Sequence, residues 1–376
     1  MQLLTDKTSG CKFFFAVLIL PFFLACSRYA EDELVPKYQA TPYSIAVPHG
    51  FPTLLNIPED NPMTEEGIAL GRFLFYDTRL AGRAAENKYM SCSSCHIQEN
   101  GFIIGMPRPY PFGLDGDSTH HAMLPLINLV WNPGTYGWNG SVRSIEGDVL
   151  AVITDPTEFN SSPGAVEEAI RNIDGYPALF EKAFGTKDVT AERIARAIAQ
   201  FVRTLISADS KFDRYLRGEE QLSQSELKGF VLFTTEEGAD CFHCHGGAGN
   251  PLFTTHLFYN NGKDTIFEDP ADRYSITGDP TDHGAYKATT LRNIEYTAPY
   301  MHDGRFNTLD EVIDFYSHHL RWSPYINPLM HHIANGGIQL VPEEKANLKA
   351  FLLTLSDTTF INDPNFGKPE KFPDEF

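Results

Sequence analysis

Two pentapeptides carry the most specific chemistry in the chain, Cys92-Ser93-Ser94-Cys95-His96 and Cys241-Phe242-His243-Cys244-His245. Paired thiols followed at once by an imidazole match the attachment sequence of a c-type haem. The thiols add to the two vinyl groups of one porphyrin, and the turn between them aims the next side chain at the iron. Cys92, Cys95 and His96 would hold one covalent haem, and Cys241, Cys244 and His245 a second. A redox disulfide expects a thioredoxin-like βαβ setting, which the flanking sequence lacks. A single four-cysteine zinc site needs no histidine after each pair, and the gap between the pairs is long for one.

The rest of the chain must position these groups. Its 376 residues, 42% hydrophobic and 21% charged, suit two ordinary domains. With 49 acidic against 30 basic residues the net charge is −19, which argues against nucleic acid and favours basic or neutral partners. Lys7 and Lys12 precede an apolar run from Phe13 to Ala25 that Pro21 interrupts. The run is too short to span a bilayer as a helix and has the layout of a secretory signal. It ends Phe23-Leu24-Ala25-Cys26-Ser27, similar to a bacterial lipoprotein cleavage site with Cys26 as the lipidated first residue. An ordinary signal peptide with a chance cysteine is the alternative. Either way residues 1–25 are removed, Cys11 with them, and the mature chain is exported.

Residues 26–52 are polar and Pro-interrupted and read as a tether. A helix is expected from Thr64 with Ile68, Leu70, Phe73 and Leu74 on its apolar side, and another from Thr190 to Ser207 with Ile194, Ile198, Phe201, Val202 and Leu205. Ser223 with Glu226, and Thr308 with Glu311, make capping boxes for two more. The last helix starts near Pro342 and buries Leu348, Phe351, Leu352 and Leu355. No strand pattern is sustained. The fold class is mostly α, with an N-terminal haem domain over 53–209, a C-terminal one over 210–358 and a loose tail over 359–376.

The sequence resembles the bacterial di-haem cytochrome c peroxidases and the MauG-like enzymes. The resemblance rests on Leu70-Gly71-Arg72-Phe73-Leu74-Phe75-Tyr76-Asp77, Ser91 to His96, Pro125-Leu126-Ile127-Asn128, Gly137-Trp138-Asn139-Gly140, Leu291-Arg292-Asn293 and Thr297 to Gly304, in that order. It covers nearly the whole mature chain and implies two cytochrome-c-like domains whose haems face a shared interface. The family's inter-haem tryptophan falls on Trp138, where the usual Asp-Gly-Arg ending is altered to Asn139-Gly140-Ser141. Its catalytic glutamate, 20 residues later, falls on Glu158. The resemblance implies that Glu158 moves a proton between the two oxygens of peroxide beside the His96 haem. Trp138 would carry electrons between the haems, against a plain core-aromatic role.

The family's second distal ligand, Met in the peroxidases and Tyr in MauG, lies 14 residues beyond the position of His302, at Tyr316. Met301 is the rival ligand, and a buried core tyrosine is the bland alternative. A thioether favours ferrous iron, whereas a phenolate favours higher oxidation states. Between Ile97 and Thr119 there is no histidine to close the first haem, which is expected to stay open to peroxide. His120 and His121 stand where the family tends to have arginines, so propionate or solvent positions are expected. His318-His319 and His331-His332 are pairs without metal-ligand spacing and are expected at the surface or near propionates. The family's inter-domain calcium would take carbonyls of Thr297 and Pro299, but a third ligand, an Asn, is replaced by Ala122.

The expected function is peroxide reduction with electrons from a small cytochrome c or cupredoxin, whose docking the acidity would assist. MauG-like oxidation of a protein or organic substrate, and plain electron transfer without catalysis, are the alternatives. Export to the periplasm, lipid anchoring to a bacterial membrane as the only membrane contact, and a homodimer complete the expectations.

Overall fold

Capped, amphipathic segments dictate where the helices lie in the computed structural model, which describes residues 38–376 apart from 109 and 248. The N-terminal half contributes α1 (Glu65–Tyr76), α2 (Ile145–Thr154), α3 (Pro163–Arg171), α4 (Tyr176–Phe184) and α5 (Ala191–Arg203). The hydroxyls of Thr64, Ser144, Ser162 and Thr190 cap α1, α2, α3 and α5 by accepting backbone N–H groups of their first turns. The C-terminal half contributes α6 (Lys211–Leu216), α7 (Gln224–Phe233), α8 (Phe242–His245), α9 (Tyr274–Thr277), α10 (Leu309–His318), α11 (Pro342–Leu353) and α12 (Thr358–Asn362). Capping boxes at Ser223/Glu226 and Thr308/Glu311 start α7 and α10. The only strands among the described residues are β1 (Phe258–Tyr259) and β2 (Tyr286–Lys287), paired antiparallel.

Two large apolar cores result, beside a small cluster of Phe51, Val130, Trp131 and Leu252. Leu70, Leu74 and Phe75 of α1 meet Ile194, Ile198 and Phe201 of α5 in the first. Phe233 of α7 meets Leu348, Phe351 and Leu352 of α11, with Phe212 and Ile313, in the second. Both crossings are made close by a glycine. A Cβ on Gly71 would stand 1.9 Å from the Ala197 carbonyl oxygen, and one on Gly229 would stand 1.9 Å from that of Asn347. Each helix preceding a C-x-x-C-H motif therefore lies backbone-to-backbone on a later helix of its half, at a spacing that no other side chain allows.

Three sequence expectations need correction. First, α5 ends at Arg203 rather than Ser207. Leu205 stays buried, but Ser207 leaves the helix because Asn128 binds its backbone from both sides (2.8 and 3.0 Å). Asp357 accepts from the Ser207 hydroxyl and from the N–H groups of Ala208 and Asp209 at 2.9–3.0 Å, so polar side chains from both halves clamp the joint. Second, the tail is not loose: α12 sends Phe360 into the first core. Tyr76 donates to the Phe366 carbonyl (2.7 Å), Arg72 to that of Gly367 (2.8 Å), and Arg79 pairs with Asp374 (2.7 Å). Third, residues 39–52 are bound to the body rather than free. Thr41 exchanges backbone and side-chain bonds with Glu65 and Glu66, and Phe51 packs on Trp131 under the Arg292 guanidinium. The remainder of the expected tether and the signal segment, residues 1–37, lie outside the described residues. No described helix is long and apolar enough to cross a membrane.

Candidate active site

The first C-x-x-C-H motif closes on itself as a single turn, with the His96 N–H donating to the Cys92 carbonyl at 2.8 Å. His96 Nδ1 then bonds the Phe102 carbonyl (2.7 Å), which fixes the proton there and leaves Nε2 as the lone-pair nitrogen. Burial holds His96 down at about 4, so the imidazole is neutral and able to ligate. Cys92 and Cys95 are free thiols. These groups line a cleft closed by Phe75 of α1, Ile145 and Val152 of α2, and Ile194 and Ile198 of α5.

Across this cleft stands Glu158, just beyond α2. Burial, and then the nearby Asp148 and Asp155 charges, push its carboxyl up to about 7. Asp148 lines the same cleft and is itself exposed, and desolvation by the surrounding protein raises it to about 6. Among the described residues neither carboxylate has a side-chain hydrogen bond or ion-pair partner. The loop opposite is pressed onto this segment at Gly113, where a Cβ would lie 2.3 Å from the Thr157 carbonyl oxygen and 2.7 Å from that of Glu158. Leu114 N–H donates to the same Glu158 carbonyl at 2.7 Å. Apart from His96, no histidine among the described residues lines this cleft. His120 is exposed, and His121 is held by Asp269 at 2.7 Å.

Asp148 escaped the sequence reading although a signal existed. It falls on one helical face with Ile145, Val149 and Val152, all lining the cleft, and an acid inside an apolar stripe is out of place unless it faces a cavity.

The second motif repeats the design in a larger cleft. His245 Nδ1 bonds the Thr289 carbonyl (3.0 Å), and burial lowers its pKa to about 4. Tyr316 and Met301 both line this cleft. The Asn261 amide joins them, donating to the Tyr316 hydroxyl oxygen at 2.9 Å and lying 3.8 Å from the Met301 sulfur. Asn261 was not visible from sequence, since nothing local marks it.

Trp138 lines the second cleft, and its indole N–H donates to the Ala122 carbonyl (2.7 Å), one residue before Met123 of the first cleft. Its ring meets His302 edge-on at 6.3 Å, and His302 stacks on Tyr286 at 3.4 Å with an interplanar angle of 13°. Tyr286 donates to Asp269 at 2.6 Å. Thr297 and Pro299 are buried, with the Thr297 methyl against Gly101 in the loop following His96.

Free thiol pairs, a neutral imidazole beside each pair and an apolar cleft over each imidazole fit one covalent haem per half. The comparisons agree. Residues 65–221 match the family described as di-haem cytochrome c peroxidase. The chain is 32% identical over 300 residues to the methylamine utilization protein MauG of Methylorubrum extorquens, covering 79% of this chain and 80% of that one. It is 32% identical over 261 residues to cytochrome c551 peroxidase of Nitrosomonas europaea, covering 68% and 73%. Among solved structures, a MauG-like protein associated with microbial copper homeostasis superposes with a TM-score of 0.78 at 34% identity, over 88% of this chain and all of that one. The chain belongs to the di-haem cytochrome c peroxidase family, mostly helical oxidoreductases whose members carry two haems.

Proposed function

We propose that the chain reduces hydrogen peroxide to water in the cleft above His96, with electrons delivered by a small donor protein such as a cytochrome c or cupredoxin. The observation that carries this reading is the carboxyl pair: Glu158 and Asp148 face the cleft without partners, and Glu158 is poised near neutrality. A general base works best with a pKa near the working pH. Haem bound through Cys92, Cys95 and His96 would supply an iron for peroxide to bind and a store of redox equivalents. The protein's part is proton traffic. Glu158 takes the proton from one peroxide oxygen and returns it to the other, so that the O–O bond breaks with water leaving. Two electrons and two further protons balance the conversion of one peroxide to two waters. The apolar walls limit competing water.

The second reading is MauG-like oxidation of an organic or protein substrate. Burial raises the Tyr316 phenol, and the reading is favoured by Asn261, whose N–H donation to the Tyr316 oxygen partly offsets that burial and would support a metal-bound phenolate. Tyr316 would then ligate the His245 haem and favour higher oxidation states there, making it a reservoir of oxidising equivalents. Trp138 would connect the two clefts. Carbonyls of Thr297 and Pro299 would hold calcium, and Cys26 a lipid anchoring the exported chain in the periplasm.

Turnover separates the readings. Steady oxidation of reduced cytochrome c by peroxide supports the peroxidase. Stoichiometric bleaching by peroxide without cytochrome c turnover supports the substrate oxidase. Two low-spin haems indifferent to peroxide would leave only electron transfer. Tyr316→Phe should alter the second haem's spectrum, and an unchanged spectrum moves ligation to Met301.

A further inference from the structure

In sequence His331 lacks any metal-ligand spacing, and His243 is merely a variable residue inside the second haem motif. Folding brings the two together with Glu236 beside the Cys241–Cys244 turn, with one ligand atom from each of the three within 4.8 Å of the others. The rings of His243 and His331 meet edge-on with centroids 5.1 Å apart.

The second layer of this cluster is also built. Asp240, its side chain 8% exposed, accepts from His243 Nδ1 at 2.5 Å. That bond fixes the proton on Nδ1 and leaves the Nε2 lone pair facing Glu236 Oε1 at 3.5 Å. The other Asp240 oxygen lies 3.5 Å from His331 Nδ1, so one carboxylate addresses both imidazoles. His332 Nε2 is tied to the Glu236 carbonyl at 3.0 Å, which fixes the approach of the segment carrying His331.

A lone pair and a carboxylate oxygen pointing at each other repel unless a cation sits between them. Either a proton or a metal ion can play that part. Tetrahedral zinc with bonds of about 2.0–2.1 Å separates its ligand atoms by roughly 3.3 Å, close to the Nε2–Oε1 spacing. A carboxylate holding the far nitrogen of a ligating histidine is the usual outer layer of such sites.

We propose that Glu236, His243 and His331 form a surface site for a divalent late-transition-metal cation, zinc or copper(II), with Asp240 as the orienting carboxylate and solvent completing the coordination. Two imidazoles and one carboxylate suit these ions rather than calcium or magnesium.

The test uses the haem-loaded protein, stripped with a chelator and titrated with zinc chloride by equilibrium dialysis and elemental analysis. One zinc per chain beyond the haem iron is expected. The His243→Ala/His331→Ala double variant should lose it, and Asp240→Asn should weaken it by about 10- to 100-fold. His319→Ala, a histidine outside the cluster, should change nothing. With copper(II), EPR should show nitrogen hyperfine structure from two imidazoles. Because His331 also lines the second cleft, an unchanged circular dichroism spectrum of the double variant certifies its fold. Absence of stoichiometric uptake, uptake undiminished in the double variant, or copper without nitrogen coupling would overturn the site and leave a proton only between His243 and Glu236.

Discussion

The sharpest consequence of the first cleft is a pH limb that one substitution should remove and another should move. Glu158 is raised from 4.5 to about 7, first by burial and then by the Asp148 charge. Asp148 itself is raised from 3.8 to about 6, so on raising the pH Asp148 ionises first and its charge then holds the Glu158 proton. Between those values the pair carries one proton, and it titrates as a unit in two steps. A base must be ionised to accept a proton. With a pKa of about 7, the ionised fraction of Glu158 falls roughly tenfold between about pH 8 and about pH 6. The second-order rate constant for peroxide, followed by stopped flow, should fall by the same factor across that interval. Glu158→Gln should remove the limb and lower the rate roughly 100- to 10,000-fold, or about 2.7–5.5 kcal/mol of barrier. Asp148→Asn removes a negative neighbour, so the limb should move to lower pH while the plateau survives. A limb that persists in the glutamine variant would refute Glu158 as the base. A limb unmoved in Asp148→Asn would refute the pairing.

Other consequences follow from packing and charge. Gly113→Ala puts a Cβ 2.3 Å from the Thr157 carbonyl oxygen, so the loop over Glu158 must shift; the peroxide rate should fall while haem content is unchanged. Trp138→Phe keeps an aromatic ring, though a smaller one, and loses the N–H to Ala122 and the oxidisable indole, so transfer to the second haem, read by rapid-scan absorbance, should slow selectively. Arg292 is fully buried in a two-point pair with Asp213 (2.7 and 2.8 Å); Arg292→Leu strands that carboxylate and should cost about 3–5 kcal/mol in urea unfolding. With a net charge of −19, turnover with a basic donor should decline as salt rises and the screening length shrinks towards about 8 Å.

What could be read from the sequence follows the range of the interactions involved. Caps and apolar stripes act over a few residues, so Thr64, Ser223 and Thr308 marked their helices correctly. Motif chemistry is equally local, and the two C-x-x-C-H turns are visible as written. The end of α5 was misplaced because Ser207 is claimed by Asn128 and Asp357, which lie far away along the chain. The tail looked loose because its Phe360 finds a core that is built almost entirely from residues before 206. Asn261 and the cluster around His243 depend wholly on tertiary contact, with no periodicity to betray them.

The two halves also show which part of the molecule can vary without losing its frame. Gly71-Arg72-Phe73-Leu74-Phe75 in α1 and Gly229-Phe230-Val231-Leu232-Phe233 in α7 share a glycine followed by Leu-Phe, a repeat readable in the sequence. In each, the glycine admits a neighbouring helix backbone, and the final phenylalanine, Phe75 or Phe233, lines the cleft of its half. Each then fixes its motif histidine through Nδ1 to a backbone carbonyl. With frame and imidazole geometry shared, neither can account for a difference in chemistry between the clefts. The difference has to come from the polar side chains added to each frame. Among them are Asp148 and Glu158 in the first cleft, and Tyr316, Asn261 and Lys287 in the second. The first set can only manage protons or repel anions. The second offers a phenol with a donor already in place, and a lysine that burial lowers to about 8. On the proposed function, a division into a peroxide-handling half and a charge-storing half would rest first on these side chains, and substitutions there should change activity while leaving the helical frame standing.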